Sequence, residues 1–255
     1  MRQVLVVAAL AVLAQPAMAQ DFRWSGSIAS GKTLEVRGIN GALHAVGASG
    51  STALVTATKK GKKSDPDDVK IEVVEHAGGV TICAVYPSAK SGRPNECKPG
   101  GGRSNTEDND VSVEFEVQVP AGVRFEGATV NGDISGRKLP SDAELTTVNG
   151  GIQLEAGGVA HATTVNGGID VRMGSAKWTG ALEFTTVNGG ITVELPASIS
   201  AEFEATTVNG SVESDFPITI QGKMSPRSLH GRIGEGGPIL RMTTVNGSIR
   251  LEKGS

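Results

Sequence analysis

The sequence predicts an all-β fold: a parallel β-solenoid, similar to a β-helix, with a less regular β region before it. A five-residue motif, Thr-Thr-Val-Asn-Gly, recurs at intervals of about one solenoid coil. Glycine is abundant, with 35 residues among 255, and aromatic residues make up only 4%, so we expect a thin core and many turns. Apolar and polar residues alternate in several segments, as they do in half-buried strands.

The asparagine of each copy measures the repeat. Successive copies lie 18, 17, 22, 21 and 37 residues apart, and the last interval splits into 21 and 16 if His230 takes the place of an asparagine. Residues 121–255 then hold seven units, whose predicted corner residues are Asn131, Asn149, Asn166, Asn188, Asn209, His230 and Asn246. Because Ile39-Asn40-Gly41 is a fainter copy, we expect the N-terminal region and the repeats to share one sheet system.

Two architectures could use this unit. Asn-Gly between β-branched residues is a hairpin signal, because both residues tolerate positive φ, and it would give an antiparallel meander. In a solenoid, Asn-Gly turns a corner that lies about 4.7–4.9 Å from its copy on the next coil. Identical corner residues favour the solenoid, since asparagine amides and threonine hydroxyls could then bond between coils. Strand parity does not decide which threonine of each pair faces inward.

The chain divides into three predicted segments. Residues 1–19 have the layout of a secretory signal peptide: a positive charge, an apolar run from Val4 to Ala14 and a small-residue cleavage site. That run is about half the length that a membrane span needs. We therefore expect an exported protein, periplasmic, secreted or at the cell surface, without a transmembrane segment in the mature chain. Residues 20–120 form an N-terminal β region, and residues 121–255 form the repeat solenoid.

Cys83 and Cys97 are the only cysteines in the sequence. In an oxidising compartment a single pair most simply forms a disulfide. Closing a loop of about 15 residues is worth roughly 3 kcal/mol in the chain-entropy model. A redox-active or metal-binding pair is the alternative, but the sequence has no CxxC spacing and no histidine near either cysteine.

The sequence contains no pattern for a catalytic residue, a metal site or a cofactor. Its four histidines are His44, His76, His161 and His230. None of them lies at metal-ligand spacing from another histidine or from a cysteine. Asp108-Asn109-Asp110 could contribute to a calcium site, but it lacks the twelve-residue ligand pattern. A net charge of −3 favours neither nucleic acid nor an anionic membrane as a partner.

A polysaccharide-active enzyme on a β-helix scaffold is the main alternative function. Such an enzyme would carry charged residues at matching positions on consecutive coils. The residues found four positions after the motif asparagines are mixed in character: Gln153, Asp170, Thr192, Glu213 and Arg250. This column shows no cluster of carboxylates, so the sequence favours a protein that is not an enzyme.

Several segments carry a resemblance to a known family. "LEVRGINGAL" (34–43), "IEVVEHAGGVTICAVYP" (71–87) and "VPAGVRFEGATVNGDI" (119–134) precede the repeats. Together with the repeats they resemble the DUF4097 family of exported bacterial proteins, over about residues 21–255. The resemblance implies a β-solenoid-like fold and an adhesin-like label, and it supplies no catalytic residues.

The expected function is therefore that of an exported, non-enzymatic β-repeat protein of the cell envelope. Its role would be adhesin-like binding or structural support. The expected partner is an envelope polymer or a cell-surface ligand of unknown identity, without nucleic acid and without a cofactor.

Overall fold

The computed structural model describes residues 21–90, 93–220 and 225–254. The predicted signal peptide, residues 1–19, lies outside the described residues. Within those ranges the regular secondary structure is β-strand, apart from a short 3-10 helix at Pro66–Asp68. The described residues contain no helix with the length and apolar character that a membrane span requires. The strands are β1 (Phe22–Ser27), β2 (Thr33–Arg37), β3 (Leu43–Gly47), β4 (Thr52–Lys60), β5 (Lys70–His76), β6 (Gly79–Val85), β7 (Ser112–Val119), β8 (Arg124–Ala128), β9 (Ile134–Leu139), β10 (Ala143–Thr146), β11 (Ile152–Ala156), β12 (Ala160–Thr163), β13 (Ile169–Met173), β14 (Ala181–Thr185), β15 (Ile191–Leu195), β16 (Ala201–Thr206), β17 (Val212–Ser214), β18 (Ile218–Ile220), β19 (Ser228–Ile233), β20 (Ile239–Thr243) and β21 (Ile249–Lys253).

The strands form two sheets, which we name sheet A and sheet B. The strand order in sheet A is β1-β4-β7-β3-β9-β11-β13-β15-β21-β17, and the order in sheet B is β18-β19-β16-β20-β14-β12-β10-β8-β2-β6-β5. Side chains alternate across each sheet. In β11, for example, Ile152, Leu154 and Ala156 are buried whereas Gln153 is exposed. The inward side chains of both sheets belong to one continuous cluster of buried residues.

Each coil of the solenoid places one strand in each sheet. The chain runs along sheet B, turns at the Asn-Gly corner and continues along sheet A. In spatial order, the strand pairs of the described coils are β2–β3, β8–β9, β10–β11, β12–β13, β14–β15, β20–β21 and β16–β17. Neighbouring coils pair in parallel in both sheets. The predicted fold, an all-β parallel solenoid, is therefore confirmed.

The N-terminal region extends this stack less regularly, as the sequence predicts. In sheet A, β4 is antiparallel to both β1 and β7; in sheet B, β5 is antiparallel to β6. In contrast, β3 is parallel to β7 and β9, so the coil that contains Asn40 lies directly on the first coil of the main run. The two regions thus share one sheet system.

The C-terminal coil does not lie at the end of the stack. β20 lies between β14 and β16, and β21 lies between β15 and β17. The chain therefore leaves a gap after β15, forms the next coil one position further out, and returns at residues 239–253 to fill the gap. The regular spacing of the asparagines did not predict this order.

His230 is not a corner residue, contrary to the prediction. It lies in β19, antiparallel to β16 and opposite Glu204, and it is exposed. A serine and a leucine precede it where the repeat has threonine and valine. An imidazole also cannot offer the paired N–H₂ and carbonyl groups of an asparagine amide. Asn40 supplies the seventh corner of the described coils instead.

Cys83 and Cys97 form a disulfide, with their Cα atoms 5.7 Å apart. The bond attaches the segment that follows β6 to sheet B. Tyr86 in the same segment is buried, and its hydroxyl donates a hydrogen bond to the carbonyl oxygen of Val111 at 2.9 Å. Burial raises the pKa of Tyr86 to about 12. The disulfide and this buried phenol together hold the segment against the stack.

Candidate functional site

The motif asparagines form a ladder along one edge of the solenoid. The side-chain Nδ2 of every asparagine in the ladder except Asn40 donates a hydrogen bond to the Oδ1 of the asparagine on the neighbouring coil, at 2.7–2.8 Å. In spatial order the ladder runs Asn40, Asn131, Asn149, Asn166, Asn188, Asn246 and Asn209. Asn188 and Asn209 therefore contact Asn246 and not each other, because the C-terminal coil lies between them.

The second threonine of each motif faces the core. Its buried hydroxyl donates to the carbonyl oxygen of the corner glycine on the neighbouring coil, at distances of 2.8–3.2 Å. The residues are Thr129, Thr147, Thr164, Thr186, Thr207 and Thr244. The hydroxyls thus bond between coils, but to backbone carbonyls and not to one another. Each bond satisfies a polar group that would otherwise be costly to bury.

In the six corners other than that of Asn40, the first glycine is required by close packing. An added Cβ at Gly132, Gly150, Gly167, Gly189, Gly210 or Gly247 would lie 2.0–2.1 Å from a carbonyl oxygen of the adjacent coil. None of these six glycines has a positive φ. The hairpin alternative explained Asn-Gly by positive φ, and the structure gives a different reason: only glycine lets the two backbones approach this closely.

The motif valines point outward beside the asparagine ladder. Their side chains are 36–51% exposed, and they are Val130, Val148, Val165, Val187, Val208 and Val245. The corner thus presents a narrow, uniform ridge of valine and asparagine. Because the asparagine amides of the ridge already bond to one another, the ridge does not present a cluster of free polar groups that could bind a ligand. The asparagines of the ladder thus bond one coil to the next.

A groove of about 560 Å³ runs along the outer face of sheet A, beside the corners. Its polar wall is formed by the matching outward residues of four adjacent strands: Ser135, Gln153, Asp170 and Thr192. His44 lies at one end. The same column continues beyond the other end with Arg250 and Glu213, which form an ion pair at 2.9 Å. Three residues of the mixed column found in the sequence, Gln153, Asp170 and Thr192, therefore belong to one wall of this groove.

The floor of the groove is formed by the second glycines of the three TTVNGG copies. These are Gly151, Gly168 and Gly190, and they lie on three adjacent coils. A Cβ added at Gly168 would meet nothing closer than the Gly190 carbonyl oxygen, at 3.6 Å. Gly151 and Gly168 therefore leave space that a side chain could fill, whereas a Cβ at Gly190 would lie 3.2 Å from the Ser248 carbonyl oxygen. The TTVNGS copies have serine at the equivalent position, so the last residue of the motif sets the extent of the open floor.

The wall of the groove has unused hydrogen-bonding capacity. Within the part of the chain that the structure describes, the side chains of Gln153, Asp170 and Thr192 have no hydrogen-bonding partner in the protein. Asp133, in contrast, accepts a hydrogen bond from the backbone N–H of Gly151 at 2.7 Å. Three polar side chains on three adjacent coils thus face solvent at the spacing of the strands, about 4.8 Å.

The outer face of sheet B carries carboxylates at matching positions on adjacent coils. One such pair is Glu126 and Glu144. Arg124 lies between them, with its Nε 2.9 Å from Glu126 and its Nη2 2.6 Å from Glu144. The spacing after each motif asparagine does not reveal this pair, because the residues at that spacing all lie in sheet A.

Arg241 bridges two further carboxylates of sheet B in the same way. Its guanidinium lies 2.9 Å from Glu204 and 2.6 Å from Glu183. The hydrogen bonds that Arg241 donates to Glu204 and Glu183 raise its pKa above the ordinary value. At each of these two positions an arginine thus forms ion pairs with both glutamates, so neither pair of carboxylates is free for general acid–base chemistry.

Glu35 is a buried carboxylate near the disulfide. It accepts hydrogen bonds from the Thr81 hydroxyl at 2.8 Å and from the Gly100 backbone N–H at 3.0 Å, and it pairs with Arg37 at 2.8 Å. Burial by itself would raise the pKa of Glu35, but these hydrogen bonds outweigh burial and leave the pKa below its ordinary value. Glu35 therefore anchors the loop around Gly100 to sheet B.

The acidic stretch considered for calcium has a structural role in this fold. The carboxylate of Asp110 accepts hydrogen bonds from the backbone N–H groups of Lys63 and Ser64, at 3.0 and 2.9 Å. The bond from Ser64 is the main reason that the pKa of Asp110 is lowered. Asp110 thus fixes the turn after β4.

The structure does not bring the four histidines together. His161 lies in β12 and His230 in β19, both in sheet B, and His76 ends β5. His44 lies on sheet A, where its ring and the carboxylates of Glu114 and Glu116 have ligand atoms within 4.8 Å of one another. Sequence spacing could not have found this group, because β3 and β7 are distant in the chain.

These features define a class of protein: a two-sheet parallel β-solenoid with structural corners and a polar groove on one face. The chain belongs to the DUF4097 family. The family model, described as Toastrack DUF4097, matches residues 49–252, so the resemblance found in the sequence is confirmed. No curated protein matches the chain significantly.

Two solved structures are similar to this chain at low identity. One is a "putative cell adhesion protein" from Clostridium sporogenes ATCC 15579, with 12% identity and a TM-score of 0.41 over 91% of this chain and 99% of that one. The other is a "putative adhesin" from Bacteroides fragilis NCTC 9343, with 12% identity and a TM-score of 0.38 over 94% of this chain and 99% of that one. At these values neither similarity carries a conclusion about ligand or activity.

Proposed function

We propose that this chain is an exported, non-enzymatic protein of the cell envelope, which binds an extended, hydroxyl-rich polymer along the groove of sheet A. The observation that carries the proposal is the groove itself, with its glycine floor and its row of polar side chains. Residues 1–19 support export, since they have the layout of a signal peptide. In this proposal the mature chain begins near residue 20, and residues 20–120 and 121–255 fold as one unit.

The spacing of the polar side chains along the groove wall suits a linear polymer. A chain lying along the solenoid axis would meet one polar side chain about every 4.8 Å. Serine, glutamine and threonine side chains both donate and accept hydrogen bonds, as sugar hydroxyls do. Each such bond contributes about 0.5–1.5 kcal/mol, so one groove binds weakly. A long polymer that engages many molecules at once would be held much more firmly.

Binding without cleavage is supported by the state of the carboxylates. Asp133 is engaged with the backbone of Gly151, which leaves Asp170 as the unengaged carboxylate of the groove wall. A glycosidase uses two carboxyl groups, one on each side of the scissile bond. The arginine-bridged glutamates of sheet B are on the opposite sheet and are already paired.

The test uses a variant that fills the groove without disturbing the fold. Gly168→Ser places a side chain on the floor, where a Cβ has no contact closer than 3.6 Å. Gly50→Ser is the matched control, because Gly50 is also in open space and lies outside the groove. The purified chain and both variants are incubated with insoluble envelope polysaccharide and peptidoglycan, and the retained fraction is measured by sedimentation.

We expect the wild-type chain and Gly50→Ser to be retained equally, and Gly168→Ser to be retained about tenfold less, which corresponds to the loss of about 1.4 kcal/mol. Equal retention of the two variants, or no retention of the wild-type chain, would exclude the groove as a polymer site. Reducing ends released into the supernatant would support the enzyme alternative instead. Fractionation of the producing cells with a tagged chain tests export separately.

A further inference from the structure

We propose that His44, Glu114 and Glu116 form a binding site for a divalent transition metal ion, with Zn²⁺ as the best fit. The three residues lie on the outer face of sheet A. Parallel pairing of β3 with β7 places His44 opposite Glu116, and Glu114 lies two residues earlier on the same face of β7. This inference does not depend on polymer binding in the groove.

The donor atoms are close enough to be joined by one ion. All three lie within 4.8 Å of one another, and the His44 Nε2 is 3.9 Å from Glu114 Oε1. With bonds of about 2.0–2.2 Å, the ligand atoms of a tetrahedral zinc ion are about 3.4 Å apart. Small side-chain rotations would therefore close the site. The backbone need not move, because both strands are held within a sheet.

The His44 ring is already oriented for metal binding. Its Nδ1 lies 2.8 Å from the hydroxyl of Ser135 on the neighbouring strand. A ring that donates from Nδ1 to this hydroxyl presents the lone pair of Nε2 towards the two glutamates. Metal-binding histidines generally have such a partner on the second ring nitrogen, because it fixes the tautomer and the ring orientation.

The charge balance of the cluster also favours a cation. Lys60 is the basic residue that pairs with the cluster. The Lys60 Nζ lies 3.8 Å from Glu114 Oε2, and the Lys60 side chain is 62% exposed. Elsewhere in the described residues, the arginine–glutamate pairs have distances of 2.6–2.9 Å. Two carboxylates thus face one loosely placed lysine, and Glu116 has no ion-pair partner among the described residues.

The ligand types select the metal. Calcium and magnesium take oxygen ligands, and calcium needs six to eight of them. An imidazole with two carboxylates suits zinc and its neighbours among the transition metals. The site is open to solvent, so water or a ligand group from outside could occupy the fourth position.

The test measures metal binding directly. The purified full chain is titrated with ZnCl₂ by calorimetry, and Co²⁺ is added in a parallel experiment to follow its visible absorption. The variants are His44→Ala and Glu116→Gln, of which the second keeps the size and shape of an exposed side chain. His230→Ala is the matched control, because it removes an exposed histidine from the opposite sheet.

We expect one equivalent of Zn²⁺ to bind the wild-type chain and His230→Ala alike, and each site variant to bind at least tenfold more weakly. Ser135 acts as a positioning residue, so Ser135→Ala should weaken binding roughly tenfold and change the Co²⁺ spectrum. Lys60→Gln should strengthen binding, since it removes a competing cation. The proposal is overturned if His44→Ala and Glu116→Gln bind as His230→Ala does, or if the wild-type chain shows no stoichiometric binding.

Discussion

Replacing Gly150 with alanine tests whether the corner glycine is required by close packing between coils. An ideal Cβ on Gly150 would lie 2.0 Å from the carbonyl oxygen of Gly132 and 2.5 Å from its carbonyl carbon. The obstacle is the backbone of the neighbouring coil, which cannot rotate away as a side chain can. The two corners must therefore separate by roughly 1 Å to restore a normal contact distance.

That separation breaks hydrogen bonds that cross between the two corners. The backbone N–H of Asn149 donates to the carbonyl oxygen of Val130 at 2.7 Å, and the Asn149 side-chain amide donates to Asn131 Oδ1 at 2.8 Å. The Thr147 hydroxyl donates to Gly132 at 3.0 Å. At about 1 kcal/mol for each bond, the loss of these three costs about 3 kcal/mol. Folded proteins are typically stable by about 5–15 kcal/mol in total, so the effect is large.

The neighbouring glycine provides the control. A Cβ on Gly151 meets nothing closer than 3.6 Å, so Gly151→Ala should change the free energy of unfolding by no more than about 0.5 kcal/mol. Urea unfolding followed by circular dichroism measures both variants. Since stacked repeats can unfold in parts, the slope of each transition is compared together with its midpoint. If Gly150→Ala and Gly151→Ala have equal stabilities, the close-packing argument is wrong.

Three further predictions concern the ladder, the buried carboxylate and the disulfide. Asn166→Ala should cost about 1–2 kcal/mol in urea unfolding and Asn209→Ala about half as much, because the first breaks two ladder bonds and the second breaks one. Folding lowers the pKa of Glu35. The ionised carboxylate therefore stabilises the fold above its ordinary pKa of 4.5, and this stabilisation is lost as pH falls through the lower folded value. In Glu35→Gln, the urea midpoint should no longer fall with pH through this cause. Replacing Cys83 and Cys97 with serine should lower the free energy of unfolding by about 3 kcal/mol, and a reducing agent should then have no further effect on the midpoint.

The repeat was sufficient to predict the parallel stacking. Identical residues recur at the interval of one coil, and a parallel sheet places equivalent residues side by side. The period could not predict the spatial order of the coils, however. The copy at Asn246 has the same motif as the copy at Asn209, so no local feature indicates which of them lies beside Asn188.

The sequence also could not predict which threonine of each motif faces the core. The corner interrupts strand alternation, so parity gives no answer, and the decision rests on a hydrogen bond to a glycine on another coil. The floor of the groove, in contrast, follows from the stacking itself, because the three TTVNGG copies are consecutive in the chain and adjacent in space. His44 and Glu116 lie close together only because β3 pairs with β7, and the spacing of the two residues along the chain does not indicate this pairing.

The inserted C-terminal coil gives a physical reason for such uniform corners. Asn246 bonds to Asn188 on one side and to Asn209 on the other, at 2.7 Å in both cases. A coil inserted between two coils that are consecutive in the chain needs an interface that fits both. Identical corners give every coil the same donors on one side and the same acceptors on the other.

Uniform corners cannot by themselves specify the order of the coils, because any coil would fit beside any other. The inward side chains differ, and they can supply this information. Met242 of the inserted coil lies between Phe184 on one neighbour and Ala205 on the other, so a large and a small side chain flank it within a close-packed core. Exchanging these neighbours would move a phenylalanine into the space of an alanine, which a dense core does not accommodate. The corner therefore provides the common interface, and the core provides the order.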